Sequence, residues 1–409
     1  MVDASAAGPA RLGLAGRVRT SDGQPVAGAL VFVSTARPRV GPSVTCPSCY
    51  LDCRKRARTD GRGAFALAGL DPSLVFTVGV AADGYAARFA PNVDPAAGPL
   101  DIALEARAPR PGDPRRVVRA RVVDGEGQPL VGALVEPIGH QSGRPSGGSF
   151  SQHFGPFGVD PVVTGADGRF ALGVTVDADA ILVQIEARDV APKALAVATG
   201  GREEILRLGS GRAVVGRLVR DGRPVAGAVV AAVQVDRSAT GFVGERTAET
   251  DRHGRFVLEH LPPAEPLVFY GKIEGLGAQG AVAELTLAAA ADGAVLDLGE
   301  VAVDPGLMLS GRVTTANGRP LPPHARIRVR RRAAWDWLEA DLAADGRFAL
   351  GPLPREIVEV SVDAPGYARA VQDANLRAEA DWMRGYGAAD LRFVLAPADA
   401  TRRALSDRD

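Results

Sequence analysis

Short apolar runs recur along this chain, and turns rich in glycine and proline separate them. In some runs apolar and small or polar positions alternate: Phe170 and Leu172 lie two residues apart, which places both on one face of a strand. Other runs are continuous, such as residues 181–185 and 357–362, and are typical of buried strands. Few windows carry helical periodicity, with residues 285–291 the main ambiguous one. The pattern therefore predicts a β-rich chain.

One phrase occurs four times: Gly-Arg-Val or a close variant, a turn with Asp-Gly or Asn-Gly in most copies, a proline, and then small and apolar residues. The copies begin at Gly16, Arg119, Gly216 and Gly311. A second phrase with Asp, Gly and a Phe-x-Leu pair follows each copy. Its phenylalanines, which we expect to be buried in their domains, are Phe65, Phe170, Phe256 and Phe348. The marker prolines at 25, 129, 224 and 320 are 104, 95 and 96 residues apart. Such a period is the size of a self-sufficient domain rather than of a solenoid unit.

Each copy supplies about seven short strands in roughly 95 residues, which predicts an immunoglobulin-like β-sandwich. The closing strands are expected at residues 100–104, 204–208, 295–303 and 391–395. The fold class is therefore all-β, with four tandem sandwiches. The predicted domains span residues 11–108, 117–209, 212–305 and 307–397, between a disordered N-terminus at 1–10 and a charged tail at 398–409. The Asp-Gly and Asn-Gly turns predict two residues at positive φ in the first hairpin.

The two phrases resemble the carboxypeptidase regulatory-like domain, a transthyretin-like or carbohydrate-binding-like seven-strand sandwich. The resemblance covers about residues 11–397. It implies an accessory domain beside zinc carboxypeptidases, not a catalytic one, so that association with such a hydrolase is one alternative role. The peptidase itself would need a His-x-x-Glu zinc pair, and none of the five histidines begins one.

Lysine plus arginine and aspartate plus glutamate number 48 each, so the net charge is zero. This balance argues against nucleic acid as a partner. Locally basic runs at 54–58 and 326–332 favour solvated strand faces, with polyanion binding as the alternative. No uncharged apolar stretch reaches the roughly 18 residues of a membrane span, and residues 1–10 lack the features of a signal peptide. Because resembling proteins are mostly extracytoplasmic, the resemblance implies a cell-envelope location. Alanine is abundant and lysine rare, which indicates a bacterial source.

All three cysteines, Cys46, Cys49 and Cys53, lie in a loop inserted in the first copy. One interpretation is that the Cys-x-x-Cys pair provides half of a tetrahedral zinc site. Cys53 would then be a third thiolate ligand, and Asp52, water or another domain would supply the fourth. The favoured interpretation is a single disulfide with one remaining thiol, or plain thiols. Dithiol redox chemistry lacks its usual βαβ context. We therefore expect no cofactor, with zinc as the alternative.

The fourth copy holds all three tryptophans of the chain. The spacing of Trp335 and Trp337 predicts that both rings lie on one face of a strand, with Asp336 between them. Trp382 and Tyr386 follow in a second irregular segment. If exposed, these rings form an aromatic platform on which sugars stack. The favoured interpretation is that the tryptophan pair simply caps the core, as buried aromatics ordinarily do.

Together these features predict a non-enzymatic modular surface or envelope protein that acts as a spacer, adhesion or interaction scaffold. A carbohydrate-binding module built on the fourth copy is the alternative function. The expected partners are proteins or carbohydrates at a surface. The proline-rich linker at residues 106–114 favours a monomeric, extended rod.

Overall fold

The structure is a computed structural model that describes residues 11–39, 50, 52–53, 55–107, 114–143, 149–152, 159–175, 177–200, 202–238, 241–377 and 391–398. Over these residues the chain is almost entirely β, as predicted. The helical segments described are a short α-helix, α1 (Ile273–Leu276), and 3-10 turns at Pro114–Arg116 and Gly277–Gln279. The strands form four pairs of sheets, one pair in each sequence copy, which confirms four tandem β-sandwiches.

The strands of the first two sandwiches run in chain order. Sandwich 1 contains β1 (Leu12–Thr20), β2 (Leu30–Pro38), β3 (Arg56–Arg58), β4 (Ala64–Leu70), β5 (Leu74–Ala81), β6 (Arg88–Val93) and β7 (Leu100–Leu104). Sandwich 2 contains β8 (Val117–Val123), β9 (Leu134–Ser142), β10 (Ser149–Gln152), β11 (Val162–Val163), β12 (Arg169–Gly173), β13 (Ala180–Glu186), β14 (Lys193–Ala198) and β15 (Glu204–Arg207).

The last two sandwiches repeat this series. Sandwich 3 contains β16 (Arg212–Arg220), β17 (Arg223–Pro224), β18 (Val229–Gln234), β19 (Arg246–Glu249), β20 (Arg255–Leu261), β21 (Leu267–Gly271), β22 (Leu285–Leu287) and β23 (Val295–Ala302). Sandwich 4 contains β24 (Leu307–Thr315), β25 (Arg326–Arg331), β26 (Trp337–Asp341), β27 (Arg347–Leu353), β28 (Ile357–Asp363), β29 (Ala370–Asn375) and β30 (Leu391–Leu395).

All four sandwiches share one strand order. In sandwich 1 the sheets read β4-β1-β7 and β3-β2-β5-β6, and in sandwich 4 they read β27-β24-β30 and β26-β25-β28-β29. The first strand of each copy lies between the strand of the second phrase and the closing strand. It is antiparallel to the strand of the second phrase and parallel to the closing strand. Each sandwich encloses its own cluster of buried apolar side chains.

The packing of glycine against phenylalanine explains why the first phrase begins with glycine. Gly16 lies opposite Phe65 in the β1–β4 register, and a Cβ added at Gly16 would stand 2.6 Å from the ring. Gly216 and Phe256 repeat the arrangement at 2.8 Å. In sandwich 2 the equivalent position holds alanine. The ring of the second phrase therefore lies directly over the backbone of the first strand.

Three of the four marker phenylalanines are buried as predicted, with Phe65, Phe170 and Phe256 exposing 5%, 7% and 2% of their surface. Phe348 is different, because it is only partly buried and packs at the edge of its core, with its ring centroid 6.5 Å from that of Phe393. The expectation that every marker phenylalanine is buried is therefore wrong for sandwich 4.

A buried threonine precedes the second phrase in three sandwiches. In sandwich 3 the Thr250 hydroxyl donates to Val225 O at 2.7 Å and accepts from Ala228 N at 3.0 Å. Thr59 and Thr164 make the same pair of bonds in sandwiches 1 and 2. Sandwich 4 has Leu342 at this place, and its backbone N–H donates to Ala325 O. The threonine satisfies backbone groups that would otherwise be buried without partners.

The turn prediction is right in one copy and wrong in two. Asp221 and Gly222 both have positive φ, 51° and 73°, in the hairpin that joins β16 and β17. At the Asp22-Gly23 and Asn317-Gly318 turns, only the glycine adopts positive φ. The closing strands lie where they were expected, within a residue or two, and the ambiguous window at 285–291 contains β22 rather than a helix.

The sandwiches associate in pairs. One compact unit contains sandwiches 1 and 2, over residues 6–211, together with Arg237–Val243; the other contains Arg212–Asp236 and Gly244–Asp409, which hold sandwiches 3 and 4. The predicted domain limits themselves stay predictions. The pairing has a physical basis inside each unit, and in the second unit it produces the most unusual cluster of side chains that the structure describes.

Candidate functional site: a charged joint between sandwiches 3 and 4

The alternation of side chains along β25 turns a charge inward. Ile327 and Val329 are fully buried, and Arg331, two residues further on, continues on the same face. An arginine thus occupies a position where the strand period calls for an apolar core residue. Its side chain exposes 0% of its surface, so the guanidinium must find all of its partners inside the protein.

Arg331 finds partners in both sandwiches. Its Nη1 donates to Gly271 O at 2.7 Å and its Nη2 donates to Val282 O at 3.2 Å, both in sandwich 3. Within sandwich 4, Nε and Nη2 donate to the two carboxylate oxygens of Glu356 at 2.9 and 2.5 Å. This bidentate pairing is the geometry in which arginine binds carboxylates most strongly. Arg331 therefore ties the end of β21 to the segment before β28.

Asp336 makes a second connection between the two sandwiches. Its Oδ2 accepts a hydrogen bond from the backbone N–H of Ile273 at 2.9 Å and lies 3.4 Å from Arg331 Nη1. Its Oδ1 lies 3.7 Å from Lys272 Nζ. Because Asp336 is only 3% exposed, its carboxylate interacts with the backbone at the start of α1 and with the two cations rather than with solvent.

Lys272, which follows β21, is almost as buried. Its Nζ donates to the two carboxylate oxygens of Glu245 at 2.9 and 3.1 Å and to Trp335 O at 3.2 Å. The Tyr270 hydroxyl also donates to Glu245 in a short hydrogen bond. We call the set of Glu245, Tyr270, Lys272, Arg331, Asp336 and Glu356 the charged joint.

Aromatic rings cover both cations of the charged joint. Lys272 Nζ lies 5.8 Å from the centre of the Trp337 ring, and the guanidinium of Arg331 lies 5.2 Å from the centre of the Tyr270 ring. Both distances fall within the range of cation–π attraction, which is stronger at desolvated sites such as this one. Each ring belongs to the sandwich opposite its cation, so these contacts also join the two sandwiches.

Burial and ion pairing shift the pKa values of Glu245, Lys272 and Arg331 in the charged joint. Burial raises the pKa of Glu245, although Lys272 and Tyr270 oppose the shift. Burial would lower the pKa of Lys272, but the carboxylates of Glu245 and Asp336 outweigh it and raise that pKa. The pKa of Arg331 is raised in the same way, against its burial, by Glu356 and Asp336. Both cations therefore keep their protons.

Apolar and rim contacts complete the interface. Ile273 of α1, in sandwich 3, is 4% exposed and belongs to the apolar cluster of sandwich 4. Glu356 Oε1 accepts a hydrogen bond from the backbone N–H of Glu284 at 2.6 Å. At the rim, Glu284 pairs with Arg377 at 3.4 Å. Ile273 thus packs into the apolar core of the neighbouring sandwich.

The pair formed by sandwiches 1 and 2 is joined differently. Leu30 and Phe32 of sandwich 1 form one buried apolar cluster with Leu134 and Val163 of sandwich 2. A single flanking ion pair links Arg56 to Glu186, which is 4% exposed. This interface is mainly apolar, whereas the charged joint is built from paired charges.

The residues proposed for carbohydrate binding lie in or beside the charged joint. Trp335 and Trp337 are both half-buried, and β26 begins only at Trp337, so Trp335 precedes the strand. Asp336 is buried in ion pairs, which corrects its expected place on an exposed platform. Trp382 and Tyr386 lie outside the described residues. The carbohydrate role of the tryptophans stays a prediction.

The cysteine loop is described only in part. Cys53 is 9% exposed and packs into the core of sandwich 1, whereas Cys46 and Cys49 lie outside the described residues. Asp52, suggested as a fourth zinc ligand, accepts from Arg11 at 2.8 Å and lies 2.7 Å from Lys55 Nζ. Its carboxylate is thus already occupied by cations. The disulfide, thiol and zinc interpretations all stay predictions.

The basic run at 326–332 does not present a free cationic surface along β25. Arg326 and Arg328 pair with Glu339 of the neighbouring strand at 3.1 and 3.2 Å, and Arg330 pairs with Glu359 at 3.0 Å. Asp341, 2.9 Å from Arg326 Nε, supplies the third acid, so the three outward arginines are balanced by three carboxylates on the sheet. This agrees with the favoured interpretation of a solvated strand face. Arg331 is the inward exception, and sequence reasoning missed it.

Over the part of the chain that the structure describes, no helix has both the length and the apolar character needed to cross a membrane. Three solved structures illustrate what the chain is similar to, and none matches closely. The Bacillus anthracis TIE protein is 11% identical, with 94% of this chain and 73% of that chain covered and a TM-score of 0.19. The Streptococcal ancillary pilin is 11% identical, with coverages of 72% and 99% and a TM-score of 0.22. The Lactobacillus rhamnosus GG shaft pilin spaA is 13% identical, with coverages of 46% and 98% and a TM-score of 0.19.

At TM-scores of this size the likeness bears on neither function nor the arrangement of the sandwiches. No curated protein matches the chain. The family comparison is more informative, because it falls on one complete sandwich. Residues 13–105, which are sandwich 1, match the carboxypeptidase regulatory-like domain family, and the same strand order recurs in the other three sandwiches.

Proposed function

We propose that this protein is a non-enzymatic spacer or interaction scaffold of the bacterial cell envelope, in which sandwiches 3 and 4 act as one stiff element. The charged joint is the observation that supports this proposal. Besides Tyr270 it contains five buried or nearly buried charged side chains, which are costly to bury unless each is paired in good geometry. We infer that this network holds the two sandwiches in one relative orientation, because any other orientation would leave its charges buried without partners.

The same observation bears on the alternatives. A carbohydrate-binding surface would use Trp335, Trp337 and Asp336, but Asp336 is committed to the charged joint and Trp337 covers Lys272. Association with a hydrolase would rest on the family resemblance alone. A stiff pair of sandwiches, in contrast, is supported by contacts that the described residues make, and stiffness is what a spacer requires.

The test measures the distance between the two sandwiches in the full chain. Spin-labelled unnatural amino acids replace Val257 in β20 and Val394 in β30, which expose 52% and 65% of their surface. Pulsed electron spin resonance should give one narrow distance distribution for the unaltered joint. Arg331→Ala should broaden it, whereas Arg330→Ala, on the outer face of the same strand, should not. A broad distribution before any change at Arg331 would contradict the proposal.

A further inference from the structure

Sandwich 3 differs from the other three along one side, where its two sheets end at β22 and β23. The strands at the place of β22 in the other sandwiches are β6, β14 and β29, and each has six residues, whereas β22 has three. The chain between β21 and β22 forms α1, which carries Ile273 into the apolar cluster of sandwich 4. This stretch of chain therefore contributes to the contact between the sandwiches rather than to the edge of the larger sheet.

The closing strand β23 also differs from its counterparts. It has eight residues against four or five, and residues 295–297 pair with the start of β16 before a shift in register. In the other closing strands the inward residues Ile102, Leu206 and Phe393 are 4%, 6% and 4% exposed. Val301 holds the equivalent place in the register but is only partly buried. The core of sandwich 3 is therefore less well covered along β23.

Two leucines that belong to the inward face of this side are exposed to solvent. Leu285 lies opposite Phe269 in the register of β22, and Leu296 lies opposite Val214 in the register of β23. Residues paired in this way share one face of a sheet, and Phe269 and Val214 are buried in the core of sandwich 3. Leu285 and Leu296 nevertheless expose 46% and 39% of their surface. They mark an apolar opening into the core, which we call the open side.

Both strands that border the open side have a free edge. Within the described chain, β23 pairs with β16 and β22 pairs with β21, so each has a neighbouring strand on one side only. The free edge of a strand offers a row of N–H and C=O groups to another extended chain, and long apolar edges are normally covered. An extended strand with apolar residues at alternate positions satisfies both the backbone groups and the leucines.

The charges of β23 indicate what the remaining positions of such a strand carry. Asp297 and Glu300 are the charged residues of β23, and both are exposed. They lie on the outward face, opposite Val215 and Arg217 of β16. Opposite charges on neighbouring strands attract and like charges repel. A second copy of β23 would add acids to this face, whereas a strand with basic residues complements it.

We propose that the open side of sandwich 3 is a strand-addition site, which binds an extended segment of a partner protein in which apolar residues alternate with lysine or arginine. The segment pairs with the free edge of β23, and its apolar side chains cover Leu285 and Leu296. Its basic side chains lie on the outward face beside Asp297 and Glu300. This inference deepens the proposed function and rests on it, because it names the kind of partner that the interaction scaffold holds.

The probe is a synthetic peptide of eight residues, the length of β23, in which valine alternates with lysine. The peptide carries a fluorophore and is titrated with the full chain to about 1 mM, so that anisotropy also detects weak association. It should bind, and it should slow hydrogen exchange of the amides of β23. A peptide of the same composition with its valines and lysines in two separate blocks should not bind, and a peptide in which valine alternates with glutamate should bind more weakly.

Leu296→Lys places a charge on the inward face of the open side and should abolish binding of the valine–lysine peptide. Because Leu296 is already partly in solvent, the variant should keep the melting temperature of sandwich 3. Val371→Lys is the matched control, since Val371 is 55% exposed on β29, an edge strand of sandwich 4, and it should bind the peptide like the unaltered chain. Asp297→Asn removes one acid beside the site and should weaken binding without abolishing it.

Three results would overturn the strand-addition site: no binding of the alternating peptide, equal binding of the block peptide, or binding that persists in Leu296→Lys. A dimer in sedimentation that Leu296→Lys dissociates would also overturn it, because a second copy would then occupy the open side. The distance distribution between positions 257 and 394 separates these results from the proposed function. If the distribution is narrow while the peptide fails to bind, the stiff scaffold stands and the site is wrong. A broad distribution in the unaltered chain contradicts the scaffold whether or not the peptide binds.

Discussion

Arg331 Nη1 of sandwich 4 lies 2.7 Å from the carbonyl oxygen of Gly271 in sandwich 3, and the guanidinium is fully buried. The main-chain carbonyl at the end of β21 therefore accepts a hydrogen bond from a buried cation of the other sandwich. The charge is balanced by Glu356 and Asp336, which both belong to the same sandwich as the arginine. The orientation of the two sandwiches is thus coupled to a pairing that water does not reach.

Removing the Arg331 side chain should strongly destabilise the unit of sandwiches 3 and 4. Arg331→Ala leaves Glu356 buried without its cation, and breaking a buried pair in this way costs about 3–5 kcal/mol. Arg330→Ala is the matched control, since its pair with Glu359 is half-exposed and worth about 0–1 kcal/mol. Urea unfolding of the full chain, followed by hydrogen exchange in each sandwich, measures both. Equal effects of the two variants would contradict the account of the joint.

Two glycines with the same backbone conformation should respond differently to alanine. Gly254 and Gly222 have φ of 74° and 73°. A Cβ at Gly254 would stand 2.5 Å from Leu218 O, whereas nothing lies within 4 Å of one at Gly222. Gly222→Ala should therefore cost about 1–2 kcal/mol for the left-handed conformation alone. Gly254→Ala should cost more than this, because the hairpin must also move away from β16. Thermal unfolding of sandwich 3 compares them, and equal costs would show that the close approach is unimportant.

The marker phenylalanines should divide into two classes. Phe170 is 7% exposed in the core of sandwich 2, and Phe170→Ala should cost about 3–5 kcal/mol, as truncation of a large core aromatic does. Phe348→Ala should cost clearly less, because this ring is only partly buried. Calorimetry that resolves the melting of each unit gives both values. If Phe348→Ala lowered the free energy of unfolding more than Phe170→Ala does, the explanation by burial would be wrong.

The fold could be predicted from the sequence because its signals are local and repeated. Gly16 and Phe65 belong to the two recurring phrases, and their contact across β1 and β4 explains why both residues recur. The threonine before the second phrase was an overlooked signal of the same kind, since Thr59, Thr164 and Thr250 occupy equivalent places. Residues that recur at equivalent positions of the sandwiches are those that form contacts inside each sandwich.

The charged joint could not be predicted in this way, because each of its contacts occurs once and joins distant segments. Ile273 and Asp336 are 63 residues apart, and no local pattern pairs them. One signal was present: Arg331 follows Ile327 and Val329 at the strand period, so a charge stands on the buried face of β25. A basic run that seemed uniform in sequence therefore divides into an outward ladder and one inward residue.

The tryptophan pair permits a test that separates a structural role from carbohydrate binding. Trp337 covers the buried Lys272 ammonium at 5.8 Å, and we expect Trp337→Ala to loosen the charged joint by about 0.5–2 kcal/mol. Trp337→Phe keeps an aromatic face over the cation and should recover much of that loss. The distance distribution between positions 257 and 394 measures both variants. If the double variant Trp335→Ala/Trp337→Ala instead keeps a narrow distribution but loses retention on an insoluble polysaccharide, the rings serve a sugar platform and the structural role is wrong.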